Sequence, residues 1–343
     1  MRKLAVIYIL FIFCVAQPAG AREQIHVVGS STVYPFVTVV AEQFGQSGKF
    51  KTPIIESTGT GGGFKLFCEG IGESTPDIAN ASRPITDSEK KLCAKNGVTD
   101  IIEISIGYDG IVLAVKNGTL VLDLSKKAIF MALARELPDA NGKMQKNPYK
   151  TWHDIDPKLP DNEIKVYGPP PTSGTRDAFV ELAMEKGCEL VPDFVKAYPD
   201  VKMRKKLCTL MREDGKFVEA GEDDNVIVQK LFSDEKALGI LGYSFVEENT
   251  SKVQSSKVEG VLPNFSTIES GKYGISRSLY VYVKLQHIEK ISGLAEFLRE
   301  MLSENAIGDD GYVIERGLLP LNAEERKKQR ETIKNTISEY RKI

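Results

Sequence analysis

Short β-branched runs alternate along the chain with stretches whose apolar residues recur every three or four positions. "QIHVVGS", "TPIIEST", "TDIIEISIG", "GIVLAVK" and "EIKVYGP" have the length and side-chain type of strands, and each lies beside a helical pattern or a turn signal. Phe36, Val37, Val40, Ala41 and Phe44 share one helical face, as do Phe64, Phe67, Cys68 and Ile71 at i, i+3, i+4, i+7, and again Phe179, Leu182 and Ala183. Such alternation predicts an α/β protein with largely parallel sheets between helical layers. Near the C-terminus the pattern is mostly helical, "SGLAEFLREML" being the clearest case.

Two passages divide this pattern into lobes. "IEISIGYDGIVLAVK", residues 102–116, has two strand-like halves joined by Gly107-Tyr108-Asp109-Gly110, a sequence suited to carrying the chain from one lobe to the next. "RSLYVYVK", residues 277–284, would carry it back. The expected division is 22–107 with 284–343 as one domain and 108–283 as the other, joined by two crossings.

The first 21 residues stand apart. Arg2 and Lys3 precede the apolar run "LAVIYILFIFCVA", and Ala19-Gly20-Ala21 supplies a small-x-small cleavage pattern, so a signal peptide cut after Ala21 is expected. The run is too short to span a bilayer as a helix. Phe13 precedes Cys14 where a lipidation site needs a small residue.

A chain beginning at Arg22 has 322 residues, enough for two cores, and loses Arg2 and Lys3, which leaves 43 basic against 47 acidic residues. A net charge of −4 gives no general field for nucleic acid, so a bound anion must be met by local donors. Four cysteines remain: Cys68, Cys93, Cys188 and Cys208. An even number in an exported chain reads as two disulfides, and of the three connectivities the sequence-local one, Cys68–Cys93 with Cys188–Cys208, is favoured. No Cys-x-x-Cys pair occurs and His26, His153 and His287 are far apart, which speaks against a metal site.

Three strand-to-helix turns carry the same chemistry. Gly29-Ser30-Ser31-Thr32, Thr58-Gly59-Thr60-Gly61-Gly62-Gly63 and Thr172-Ser173-Gly174-Thr175 each follow a strand-like run and open a helical one. The first N–H groups of a helix lack internal partners and lie at the positive end of its dipole, so they form a ready anion site. Glycine lets the backbone approach closely, and Ser and Thr hydroxyls add donors. A single such loop is equally well a capped helix start. Three at strand ends, where α/β proteins place their ligands, favour a binding site.

Arg176 directly follows Ser173-Gly174-Thr175, and Arg83 lies in "DIANASRPIT". A guanidinium offers two parallel hydrogen bonds to a planar or tetrahedral oxyanion, although surface ion pairs of Arg83 with Asp87, or of Arg176 with Asp177 or Glu181, would also account for them. The loops contain no G-x-x-x-x-G-K-[ST] or G-x-G-x-x-G nucleotide signature and the chain no G-x-S-x-G elbow. A phosphoester hydrolase using Ser31 or Thr60 as nucleophile would lack both metal ligands and a base.

"GSSTVYPF", "STGTGGGFK", "DIANASRPI", "SGTRDAF", "ALGILGYSFVEEN" and "GKYGISRSLYVYV", in this order, resemble the exported phosphate-binding protein of bacterial high-affinity phosphate ABC transporters. The likeness runs from about Ile25 to the C-terminal helices. It implies a type II periplasmic binding protein with two α/β domains, two mixed sheets, two hinge crossings and a cleft closing on one dehydrated phosphate. It further implies a monomer without cofactor, metal or catalytic activity, which delivers inorganic phosphate from the periplasm to permease subunits in the inner membrane. The family's ligand positions fall on Ser31 and Thr32, on Thr60, and on Ser173, Gly174 and Thr175.

The resemblance has two gaps. Some members place an Asp after the Ser of the fourth segment, where it accepts the proton of HPO₄²⁻; here Arg83 follows Ser82. Some place an Arg shortly before Ser-Gly-Thr, where this chain has Pro169-Pro170-Pro171-Thr172. Arg83 and Arg176 are therefore expected to supply the positive charge, and Asp109 to accept the proton. Sulfate, molybdate or arsenate would be the neighbouring choices of ligand, and an adhesin or a sensor the choice from another class.

Overall fold

The computed structural model describes residues 22–139, 141–221 and 223–340. The expected signal peptide, with Cys14, lies outside the described residues. Strands β1 (His26–Gly29), β2 (Ile54–Ser57) and β3 (Ile78–Ala81) alternate with helices α1 (Tyr34–Gln46), α2 (Thr60–Phe67) and α3 (Asp87–Lys95) before the long strand β4 (Ile101–Lys116). β1 pairs in parallel with both β2 and β3. The strand Ser276–Lys284 lies between β3 and β4, antiparallel to both, so the sheet is mixed.

β4 differs from the expected pair of strands joined by a turn: it is one continuous strand of 16 residues. Its first part pairs with Ser276–Lys284, and its second with Leu238–Gly242 and Val253–Ser255. Leu238–Gly242 continues in parallel to Val166–Gly168 and then Phe217–Glu219. One nine-stranded sheet thus passes through both halves of the molecule. Gly107 needs its glycine for a close approach, since a Cβ there would lie 2.4 Å from the Leu319 carbonyl oxygen. Tyr108 and Leu319 exchange backbone hydrogen bonds of 2.8 and 3.0 Å, so the C-terminal segment passes the same midpoint and adds a third passage beside the two expected.

Burial follows the apolar pattern. Val27, the α1 face (Phe36, Val37, Val40, Ala41, Phe44), Ile106 and the C-terminal helices form one core cluster, while Tyr108 and the residues that follow to Ile275, with Leu319 and Leu321, form a larger one. The core changes identity between Ile106 and Tyr108. A third cluster lies beneath α2, where Phe64 and Phe67 pack with the Cys68–Cys93 disulfide. The second disulfide joins Cys188 to Cys208. Closing loops of this size stabilises by about 3 kcal/mol each.

Candidate functional site

Parallel pairing places the ends of three strands side by side, with Gly29 in register with Ser57 and with Asn80. The chain leaves β1 through Ser30–Val33, enters α2 at Thr60 and leaves β3 through Ser82-Arg83. These segments form one wall of a cleft of about 320 Å³, lined by Ser30, Ser31, Thr32, Gly59, Thr60, Gly61, Ser82 and Arg83. The opposite wall is Asp177, Val180, Glu181 and Glu185. These four come from the helix Gly174–Phe179 and the π-helical turn Val180–Glu185 that continues it.

α2 begins without a side-chain cap. Gly59 adopts φ +71°, a conformation natural to glycine, and the first internal bond of the helix runs from Gly63 N to Gly59 O at 2.8 Å. The N–H groups of Thr60, Gly61 and Gly62 precede that bond and have no partner within the helix. Thr60 Oγ1 accepts from Ser82 N at 3.1 Å and lies 3.1 Å from Ser82 Oγ. The two hydroxyls have two protons and one mutual bond, which leaves one O–H for a ligand. The last glycine of the run has another purpose: a Cβ on Gly63 would lie 2.5 Å from Gly29 Cα, so α2 can pack on β1 only without a side chain there.

The expected ligand positions do not all meet in this cleft. Ser31, Thr32, Thr60 and Arg83 line it. The Ser173-Gly174-Thr175 turn abuts it, since a Cβ on Gly174 would lie 3.3 Å from Thr32 Cα and 3.5 Å from Ser31 O. Ser173 Oγ accepts from Thr175 N at 3.2 Å, so here the hydroxyl caps its own helix. Arg83 is held by Glu89, not Asp87, in a two-pronged pair at 2.9 and 2.8 Å, which raises its pKa.

Arg176 points elsewhere. It donates to Pro169 O at 3.0 Å, stacks over the Phe217 ring at 4.7 Å and is 3.7 Å from Glu219, and it lines a separate pocket with Arg135 and Arg212. Burial lowers its pKa. Its ion-pair partner is Glu219 rather than Glu181, and Asp177 acts on it only through its charge. Asp109 is also withdrawn: its half-buried carboxylate faces Arg277 Nε at 3.4 Å, and desolvation raises its pKa despite that cation.

Arg277 is the group that the sequence reading passed over. Its side chain is buried, and it donates from Nη2 to Thr32 Oγ1 at 2.6 Å and from Nη1 to Glu181 at 2.6 Å. It thereby touches both walls. The signal in the sequence is a single arginine opening the strand "RSLYVYV", a run that by itself suggests only a crossing.

Comparison with known proteins agrees with this architecture. A sequence model of the PBP superfamily domain matches residues 15–305. The phosphate-binding protein PstS of Staphylococcus saprophyticus is 33% identical over 293 residues, covering 83% of this chain and 78% of that protein. Protein SphX of Synechococcus elongatus is 29% identical, covering 81% and 73%. The crystal structure of a possible phosphate binding protein from Planctomyces limnophilus matches with a TM-score of 0.71 and 26% identity, over 92% of this chain and 99% of that one. An ABC-type phosphate transport receptor from Vibrio cholerae, at 18% identity and a TM-score of 0.56, shares the fold. The chain belongs to the PBP superfamily and, within it, to the PstS phosphate-binding proteins.

Proposed function

We propose that the protein binds inorganic phosphate in the cleft between Thr60 and Glu181 and delivers it to an ABC transporter permease. The observation that carries this reading is the uncapped start of α2, where three helix N–H groups, the Thr60–Ser82 hydroxyl pair and Arg83 converge on one small cleft. Such a set replaces the water shell of a tetrahedral oxyanion, and closing the cleft strengthens each bond by excluding solvent. Thr32, Ser31 and the Ser173–Thr175 turn add donors from the adjoining helix starts. Arg176 supports that turn from behind through Pro169 O, and Asp109 acts by fixing Arg277.

The facing wall favours phosphate over sulfate. Asp177 on that wall repels a fully ionised anion, whereas a protonated phosphate has a hydrogen to offer its carboxylate. The domains 22–107 with 284–343 and 108–283 would then move about the midpoint of β4, a shift between open and closed populations. In this reading the protein is a monomer acting outside the inner membrane, it carries cargo without transforming it, and it needs no cofactor. Calorimetric titration with phosphate tests it: one-to-one binding by the wild type, weakened by roughly 1–3 kcal/mol in Thr60→Val, is expected. Equal affinity in that variant would remove the α2 start from the site.

A further inference from the structure

Each arginine near the cleft is matched by one carboxylate: Arg83 by Glu89, and Arg277 by the half-buried Asp109. Glu181 is an additional anion. It bonds Arg277 Nη1 at 2.6 Å, its charge also acts on Arg83, and it lines the cleft. Its side chain is 51% exposed, against 7% for Arg277, so it can turn into solvent while the arginine stays fixed. The Arg277–Glu181 pair also links the strand at the midpoint of the molecule to the π-helical turn on the far wall.

We propose that Glu181 is a built-in competitor for the anion: its carboxylate takes the Nη1 donor of Arg277 at the edge of the cleft, and phosphate must displace it to bind. This rests on the phosphate-binding reading and adds Arg277 to the groups that meet the ligand. Arg277 keeps Asp109 and Thr32 as partners when Glu181 leaves, so the exchange strands no unpaired guanidinium. The affinity is lowered by the free energy of breaking the Arg277–Glu181 pair, because a ligand that must displace a bound group gains only the difference.

The obvious objection is that any carboxylate removed from this wall would help an anion through the general field. Glu185 provides the control, for it lines the same cleft but is held by Lys205 at 3.5 Å. Inorganic phosphate is titrated calorimetrically at neutral pH into the wild type, Glu181→Gln and Glu185→Gln. The expected result is a gain in affinity of roughly tenfold in Glu181→Gln and a clearly smaller gain in Glu185→Gln. Unchanged or weaker binding by Glu181→Gln, or equal gains in both variants, would overturn the competitor role. Absence of binding by the wild type would instead overturn the phosphate reading, so the two failures are distinguishable.

Discussion

Arg277 Nη2 donates to Thr32 Oγ1 across 2.6 Å, although 245 positions separate them in the chain. A hydroxyl that accepts from a guanidinium must direct its own proton elsewhere, and for Thr32 the open direction is the cleft. Replacing Thr32 by Val removes that proton and leaves a buried Arg277 N–H unpaired. Phosphate affinity should fall by about 1–3 kcal/mol by calorimetry, and Thr32→Ser should recover most of it.

Two glycines near the start of α2 should behave differently on substitution. Gly63→Ala places a methyl 2.5 Å from Gly29 Cα, a backbone contact that no side-chain rotation relieves. A loss of roughly 1–3 kcal/mol in urea unfolding is expected. Gly61 has only the tip of Arg83 within reach, at 4.0 Å, so Gly61→Ala should leave stability within about 0.5 kcal/mol of wild type.

What could be read from the sequence was local. The strand ends and the apolar face of α1 are encoded within a few residues of each other and stand as expected, whereas α2 begins inside the glycine run at Thr60 and ends at Phe67, so Ile71 of its expected face lies beyond the helix. Side-chain direction was not legible in this way. Arg176 beside Ser-Gly-Thr has the look of a ligand, yet it turns to Phe217, which lies 41 positions on in the sequence. Arg277 gains its meaning only from Asp109, Glu181 and Thr32, brought to it by tertiary structure. The "GYDG" segment carries turn residues, but Gly107 is there for the Leu319 carbonyl that crosses it, and the strand continues.

Asp224 gives a pH signature. It is buried at the start of the helix Asp224–Ser233, accepts from Gly242 N at 2.9 Å, and burial pushes its pKa up to about 7. A carboxyl raised in the folded state favours folding fully below its ordinary value near 4, and that contribution is lost as pH rises through 7. Asp224→Asn should flatten this part of the stability curve, with a gain on the order of a few kcal/mol at pH 8 relative to pH 4. Urea denaturation of both proteins across that range is the check; parallel curves would contradict the burial argument.

The Cys188–Cys208 bond ties the end of the helix bearing Glu181 to the helix Val201–Cys208. Its removal in a double Ser variant should cost about 3 kcal/mol of stability, since it closes a loop of 20 positions. The midpoint of chemical denaturation measures this directly. An unchanged midpoint would place the support of that helix in packing alone.

The central claim is that the cleft selects a protonated tetrahedral oxyanion through helix-start donors facing a carboxylate wall. Equilibrium dialysis of labelled phosphate at neutral pH, with and without a large excess of sulfate, tests it most directly. The account predicts saturable one-to-one phosphate binding that excess sulfate leaves almost unchanged. Absence of saturable binding, or displacement of phosphate by sulfate at comparable concentration, would contradict it.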